Sequence, residues 1–354
     1  MSPSRRFFLT VQLGLLAAAR CAVGGQAVIE GVLMRSPKAL AIAVRKPDGT
    51  IAIQEQDWHS ITERFAFLRW PLLRGMVMLF ETMANGYQAL TWSAAQAANG
   101  RLEEERKTAE PRSIAPVEKE DGKLVGWALA GTMIFAMGFG FGLFVLLPHL
   151  LTAYVNPWIG ISADVSSGSF HLVDGAIKMS IFVGYILLIS RLPDIQRVFQ
   201  YHGAEHKSIH TFEHAEPLDV EHAQKHPRLH PRCGTTFLLF VILVSIVMFS
   251  AIFPWLPHLE TLPKLARNLV FIALKIPLML PVAGVSYEII RFAGKCAERP
   301  TLRRLYEPMM FLQRLTTREP DDTQMEVALV ALRAALARET AMAGGPVVAA
   351  RAVL

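Results

Sequence analysis

Residues Thr235–Leu256 read TTFLLFVILVSIVMFSAIFPWL, an apolar run without a single charge. It is long enough to cross a hydrocarbon core, which takes about 20 residues at helical rise. Three further stretches approach this pattern: Leu124 to Leu147, Ala176 to Ser190, and Leu265 to Val285. The second is short unless Leu172 and Val173 extend it, and the last carries Lys275 with Pro277 and Pro281. The fold class follows: mainly α, a polytopic helical membrane protein with about four transmembrane helices. Composition agrees, since 52% of the 354 residues are hydrophobic, only 19% are charged and the mean hydropathy is +0.32. Such a chain is too apolar for intrinsic disorder.

The three cysteines, Cys21, Cys233 and Cys296, are scattered and odd in number. They exclude a disulfide-built scaffold and suit a reduced compartment. The net charge of +6 comes from residues that flank apolar runs and form no basic stripe among aromatics. A membrane surface explains them, and nucleic acid is excluded. The expected partners are the lipid bilayer and an unidentified substrate or protein; association with a second copy stays open.

Orientation follows from Lys and Arg, which cytoplasmic flanks retain. The segment from Thr152 to Gly175 has neither, whereas Arg191, Arg197, Lys207, Lys225, Arg228 and Arg232 lie between the second and third spans. Lys119 and Lys123 precede the first span, and Arg291, Lys295, Arg299, Arg303 and Arg304 follow the last. Both termini are therefore expected in the cytoplasm, with the chain a multi-pass protein of the cytoplasmic (inner) membrane. Ser4-Arg5-Arg6-Phe7-Phe8-Leu9 and the apolar run to Ala19 have the form of a twin-arginine export signal. Export would put Arg35, Lys38, Arg45, Lys46, Arg64, Arg69 and Arg74 outside, against the charge rule, so residues 1–23 read as an extension or an over-long start.

Outside the spans, Ala39 to Gln56 reads strand, turn, strand around Lys46-Pro47-Asp48-Gly49, a small β-hairpin. Ile61 to Ala98 is helical and apolar, with breaks expected at Pro71 and Gly86, and suits an interfacial helix. Residues 24–99 thus form a cytoplasmic hairpin with interfacial helices. A charged linker covers 100–123, spans 1 and 2 cover 124–190, and a His-rich loop covers 191–234. Spans 3 and 4 occupy 235–285, C-terminal helices 286–341, and a disordered tail 342–354.

Seven of the 11 histidines are His202, His206, His210, His214, His222, His226 and His230. Every gap is a multiple of four, so members on one helix share a face. Pro217, Pro227 and Pro231 confine a continuous helix to the first turns. There Tyr201-His202-Gly203-Ala204-Glu205-His206 contains H-x-x-E-H, the inverted zinc-peptidase pattern. Two imidazoles four apart can grip a divalent ion, zinc being the expected one, while Glu205 takes a proton as general base. His230-Pro231-Arg232-Cys233 brings another imidazole and a thiol to the mouth of the third span, and Glu288 lies at the end of the fourth. Cys233, His230 and Glu288 compete for the remaining ligand position. A solvated helix face or a pH-sensitive hinge is the plainer alternative. His210, His214, His222 and His226 read as solvated, and His59, His149, His171 and His258 as isolated structural residues.

These stretches, with Gly24 to Arg35, Ser286-Tyr287-Glu288 and Leu315-Thr316-Thr317-Arg318-Glu319-Pro320, resemble the bacterial membrane proteins of domain-of-unknown-function family 1385, the YqhQ type. The resemblance runs from Gly24 to about Leu332. It implies a metal-dependent membrane enzyme with no assigned reaction. Within its first motif, Glu30 and Arg35 read either as groups brought to the site or as a structural salt bridge. Lys275, costly in lipid, is a functional candidate or the partner of a carboxylate such as Glu81. The leading expectation is a hydrolase acting on a peptide, lipid or other ester at the cytoplasmic face. The alternatives are a scaffold with a structural metal site and, last, an ion or metal transporter.

Overall fold

The computed structural model describes residues 23–108, 122–161, 164–256, 261–296 and 310–342. The signal-like segment, much of the charged linker and the C-terminal tail lie outside the described residues.

Strands β1 (Gly24–Val28), β2 (Gly31–Arg35), β3 (Ala39–Arg45) and β4 (Ile51–Asp57) form an antiparallel sheet in sequence order. The expected hairpin is β3–β4, and a second hairpin, unforeseen, precedes it. Its two-residue turn, Ile29-Glu30, holds Glu30 at a positive φ of 53°, a conformation that side chains rarely adopt. Strands β2 and β3 are covered on both faces. Val32, Met34, Ala41 and Ala43 face one cluster, while Leu33, Leu40, Ile42 and Val44 face another. Their sequences consequently lack the polar–apolar alternation by which a half-buried strand is recognised.

A short helix α1 (Ile61–Arg64) and a 3₁₀ turn (Ala66–Arg69) lead into α2 (Leu73–Thr108). The chain breaks at Pro71 as expected, with Leu72 at φ 71°. It does not break at Gly86, because that glycine accommodates the Gln26 side chain, which donates from Nε2 to the Thr82 carbonyl at 3.1 Å. Ala89 and Trp92 of α2 cover one sheet face. The other face is closed by α6 (Pro193–Glu213) and the C-terminal helix α10 (Asp322–Met342).

The apolar layer contains α3 (Gly122–Phe141), a π-helical turn (Gly142–Leu146), α4 (Leu147–Val155), α5 (Gly168–Ile189), α8 (Gly234–Ile252) and α9 (Lys264–Cys296); the short α7 (Val220–Lys225) lies in the loop between α6 and α8. Among the described residues four helical segments are long and apolar enough to cross a membrane: Ile134–Ile159, Gly168–Ile189, Gly234–Trp255 and Leu265–Phe292. The second is longer than its uninterrupted apolar run because it starts at a Ser167 cap and includes Asp174. Gly75 of α2 and Gly284 of α9 let their helices meet backbone to backbone; a Cβ on Gly284 would lie 2.7 Å from the Leu72 carbonyl oxygen.

Lys275 is buried and donates to Asp174 Oδ2 at 2.9 Å, with Lys178 Nζ 3.6 Å from the same oxygen and His149 Nδ1 3.3 Å from Lys275 Nζ. The expected partner, Glu81, instead accepts from Ser60 Oγ at 2.9 Å and the Ile61 amide at 2.7 Å, fixing the start of α1. His149 is therefore part of a polar cluster that ties three spans together, and His171 packs on Phe253 with ring centroids 4.3 Å apart.

Breaking one member of a buried ion pair costs about 3–5 kcal/mol, whereas removing both charges costs far less. Asp174→Leu should therefore lower the unfolding midpoint in detergent strongly, and Asp174→Leu with both Lys275→Met and Lys178→Met, which leaves neither lysine unpaired, should recover much of the loss. A single variant as stable as the parent would show that the cluster contributes nothing to the bundle.

Candidate metal centre

Helix α6 starts with Pro193 at its first turn and Asp194 near its N-terminus, both favourable there. It then carries His202, Glu205 and His206 on one stripe beneath the sheet. Two glycines permit this position. A Cβ on Gly203 would occupy the place of the Arg318 carbonyl oxygen, and one on Gly25 of β1 would lie 2.8 Å from Glu205 Cγ. Glu205 is thus pressed against the strand backbone, only 5% exposed.

Ligand atoms of His202, His206 and Cys233 lie within 4.8 Å of one another. His202 Nε2 is 3.2 Å from Cys233 Sγ, and its Nδ1 is 2.8 Å from the Thr316 carbonyl oxygen. His206 Nδ1 is 2.5 Å from the Arg228 carbonyl oxygen. In both rings a backbone carbonyl engages Nδ1 and leaves Nε2 for a ligand, the arrangement by which metal-binding imidazoles are oriented. The His206 Nε2 is buried and makes no hydrogen bond among the described residues. A buried polar atom without a partner is costly. Two imidazole nitrogens and a thiolate form a donor set that suits zinc, with a fourth position open.

Cys233 is the N-cap of α8, its Sγ accepting from the Thr235 amide at 3.4 Å. Burial alone would push the thiol up, but His202 and His206 outweigh it and hold Cys233 well below the ordinary thiol range. Burial would likewise lower His202, yet the neighbouring Cys233 raises it to about 9. Glu205 moves the other way: burial raises its pKa against the opposing pull of His206 and His202. Among the described residues its carboxylate accepts no hydrogen bond.

The remaining candidates have other partners, although the His230 ring lies only 5.7 Å from that of His206. His230 Nδ1 accepts from the Arg232 amide at 3.2 Å, and its Nε2 faces Glu213 at 3.4 Å. Glu213 in turn pairs with Arg232. His210, Glu213 and His230 make a second close group, but His210 Nε2 faces the Leu229 carbonyl oxygen at 2.9 Å and the Glu213 carboxylate is taken by Arg232. Burial lowers both His210 and His230 to about 4. Glu288 joins neither group; Arg74 holds it, with Nε 2.6 Å from Oε1. His222 pairs with Asp219 at 2.7 Å and His226 with Glu216 at 2.9 Å. Glu30 and Arg35 do not pair. Glu30 binds Arg197 at 2.5 Å, whereas Arg35 stacks over Trp58. The contributions of Gly25, Thr316 and Arg228 act through backbone, which side-chain chemistry could not reveal.

Residues 70–338 match the family described as "Protein of unknown function (DUF1385)". The chain belongs to this family. It is also 33% identical over 312 residues to the uncharacterized protein YqhQ of Bacillus subtilis (strain 168), covering 87% of this chain and 90% of that one. No solved structure matches the chain.

The glycine contacts give a discriminating pair of variants. Nothing lies within 4 Å of a Cβ on Gly24, so Gly24→Ala should be close to neutral. Gly25→Ala drives a methyl into Glu205 and should cost about 1–3 kcal/mol, as overpacking does, measured as a lower unfolding midpoint. Equal midpoints would refute the close approach.

Proposed function

We propose that this protein is an integral membrane metalloenzyme, a hydrolase whose site lies where the cytoplasmic layer meets the membrane. The single observation that carries the reading is the buried, unpartnered Nε2 of His206, aimed at the place that His202 and Cys233 also face. His202, His206 and Cys233 would hold a divalent ion, zinc by donor chemistry. When bound, that ion supplies Lewis acidity toward water and a substrate carbonyl or phosphoryl oxygen. Glu205 accepts the proton from the attacking water. The Thr316 and Arg228 carbonyls keep the two rings oriented, and the backbone at Gly25 prevents Glu205 from swinging away. His230 supports the site from its own network with Glu213. The basic flanks of α5 and α8 support a cytoplasmic location for this layer and for both chain ends.

A second reading has its own support. The Cys233 thiolate at a helix N-terminus, 3.2 Å from an imidazole whose other nitrogen faces a carbonyl, has the form of a nucleophilic cysteine with its base. It leaves the His206 orphan unexplained, so it ranks second.

Purified protein should contain about one zinc per chain, as a structural or catalytic ion of this donor set requires. His202→Ala, His206→Ala and Cys233→Ala should each lose most of it, and His222→Ala should keep it. Glu205→Gln should retain the ion and fail to complement a deletion strain. Full complementation by Glu205→Gln would end the hydrolase reading and favour a structural metal site. A metal-free parent in which only Cys233 and His202 variants are inactive would favour the cysteine nucleophile.

A further inference from the structure

A cavity of about 240 Å³ lies between α1, the following 3₁₀ turn, α2 and the end of α9. It is separate from the histidine–cysteine centre and is rich in arginine: Arg69, Arg74 and Arg291 line it, with Glu81 as its one lining carboxylate. Both carboxylates in this region are already engaged. Glu81 accepts from Ser60 and the Ile61 amide, and Glu288 is held by Arg74.

Two of the lining guanidinium groups consequently retain free donors. Arg69 uses only Nε, donating to the Thr62 carbonyl at 2.9 Å. Arg291 makes no hydrogen bond or ion pair among the described residues. Arg35 of β2 is not among the lining residues; it stacks over Trp58 at 4.6 Å and donates to the sulfur of Met78, which is one, at 3.2 Å. Five planar donors per arginine match the oxygens of a phosphate group.

The position in the fold selects the source of that phosphate. Arg291 is the next-to-last residue of the apolar segment Leu265–Phe292, so the cavity sits where a span leaves the hydrocarbon. Beside it Phe67, Trp70 and Leu72 are 53%, 66% and 40% exposed, and Phe80 and Met83 continue this apolar surface along α2. Exposed aromatic and apolar side chains at such a boundary immerse in the lipid interface. A soluble anion has no use for that rim; acyl chains do.

We propose that this cavity is a binding site for the headgroup of an anionic phospholipid, the phosphate received by Arg69 and Arg291 and the acyl chains lying along the exposed rim of Phe67, Trp70 and Leu72. The site stands independently of the metal reading, and binding there is expected to anchor the α1–α2 corner against α9.

The test uses full-length protein in neutral detergent, titrated with dioctanoyl phosphatidylglycerol, dioctanoyl phosphatidylcholine or inorganic phosphate, with binding read by calorimetry and by native mass spectrometry. Phosphatidylglycerol should bind with about one site per chain. Arg69→Gln with Arg291→Gln, both at exposed positions, should weaken it by about 10-fold or more, the effect expected for lost charge-assisted hydrogen bonds. Arg291→Gln alone should give a smaller loss in the same direction, and Lys46→Gln in the β3–β4 turn should bind as the parent does. Equal binding of phosphatidylcholine, or unchanged affinity in the folded arginine variants, would overturn the proposal. Inorganic phosphate displacing phosphatidylglycerol at comparable concentration would overturn the assignment to lipid and leave a soluble-anion site.

Discussion

The architecture depends on helix α6 being held closer to its neighbours than side chains would allow. Gly203 meets the Arg318 carbonyl and Gly25 meets the Glu205 side chain, so the helix is clamped between the C-terminal segment and the edge strand of the sheet. Close packing of this kind transmits displacement with little give. The two imidazoles and the carboxylate are therefore fixed by backbone contacts on both sides of the helix. The sheet, with cores on both faces, and α10 beneath it serve as the rigid support that a site with sub-ångström tolerance requires.

The same helix links the sheet layer to the membrane helices. Its partner thiol, Cys233, caps the first turn of α8, and the His202 ring is oriented by Thr316, just after the helical residues 310–316 begin their exit toward α10. Three chain segments far apart in sequence thus converge at one end of a span. Deeper in the bundle, Lys275, Lys178 and Asp174 join α5 to α9, while His149 adds α4. A polar cluster enclosed by helices specifies their register more sharply than apolar contacts can, the role best attested for buried polar groups.

Much of this was legible in the residues. Long apolar runs marked the four spans, two of them without a charge, and the four-residue histidine spacing placed His202 and His206 on one face. What escaped had physical causes. Strands β1 and β2 lack alternation because both faces of β2 are covered and β1 is glycine-rich. Helix α2 passes Gly86 because the missing side chain is replaced by Gln26. The competition among Cys233, His230 and Glu288 could not be settled by spacing, since it turns on where the hydrogen bonds go. His230 is engaged by Glu213 and Arg232, Glu288 by Arg74, and Cys233 alone sits beside both free imidazole nitrogens. The partner of Lys275 was missed for a similar reason: Asp174 stands near the start of a helix whose rotation a hydropathy pattern does not report.

The ligand set is the central claim, and zinc K-edge X-ray absorption of the purified, zinc-loaded protein tests it directly. The account predicts one sulfur scatterer at about 2.3 Å and two imidazole nitrogens at about 2.0–2.1 Å, with the sulfur contribution lost in Cys233→Ala. A first shell of nitrogen and oxygen only, unchanged by Cys233→Ala, would contradict it.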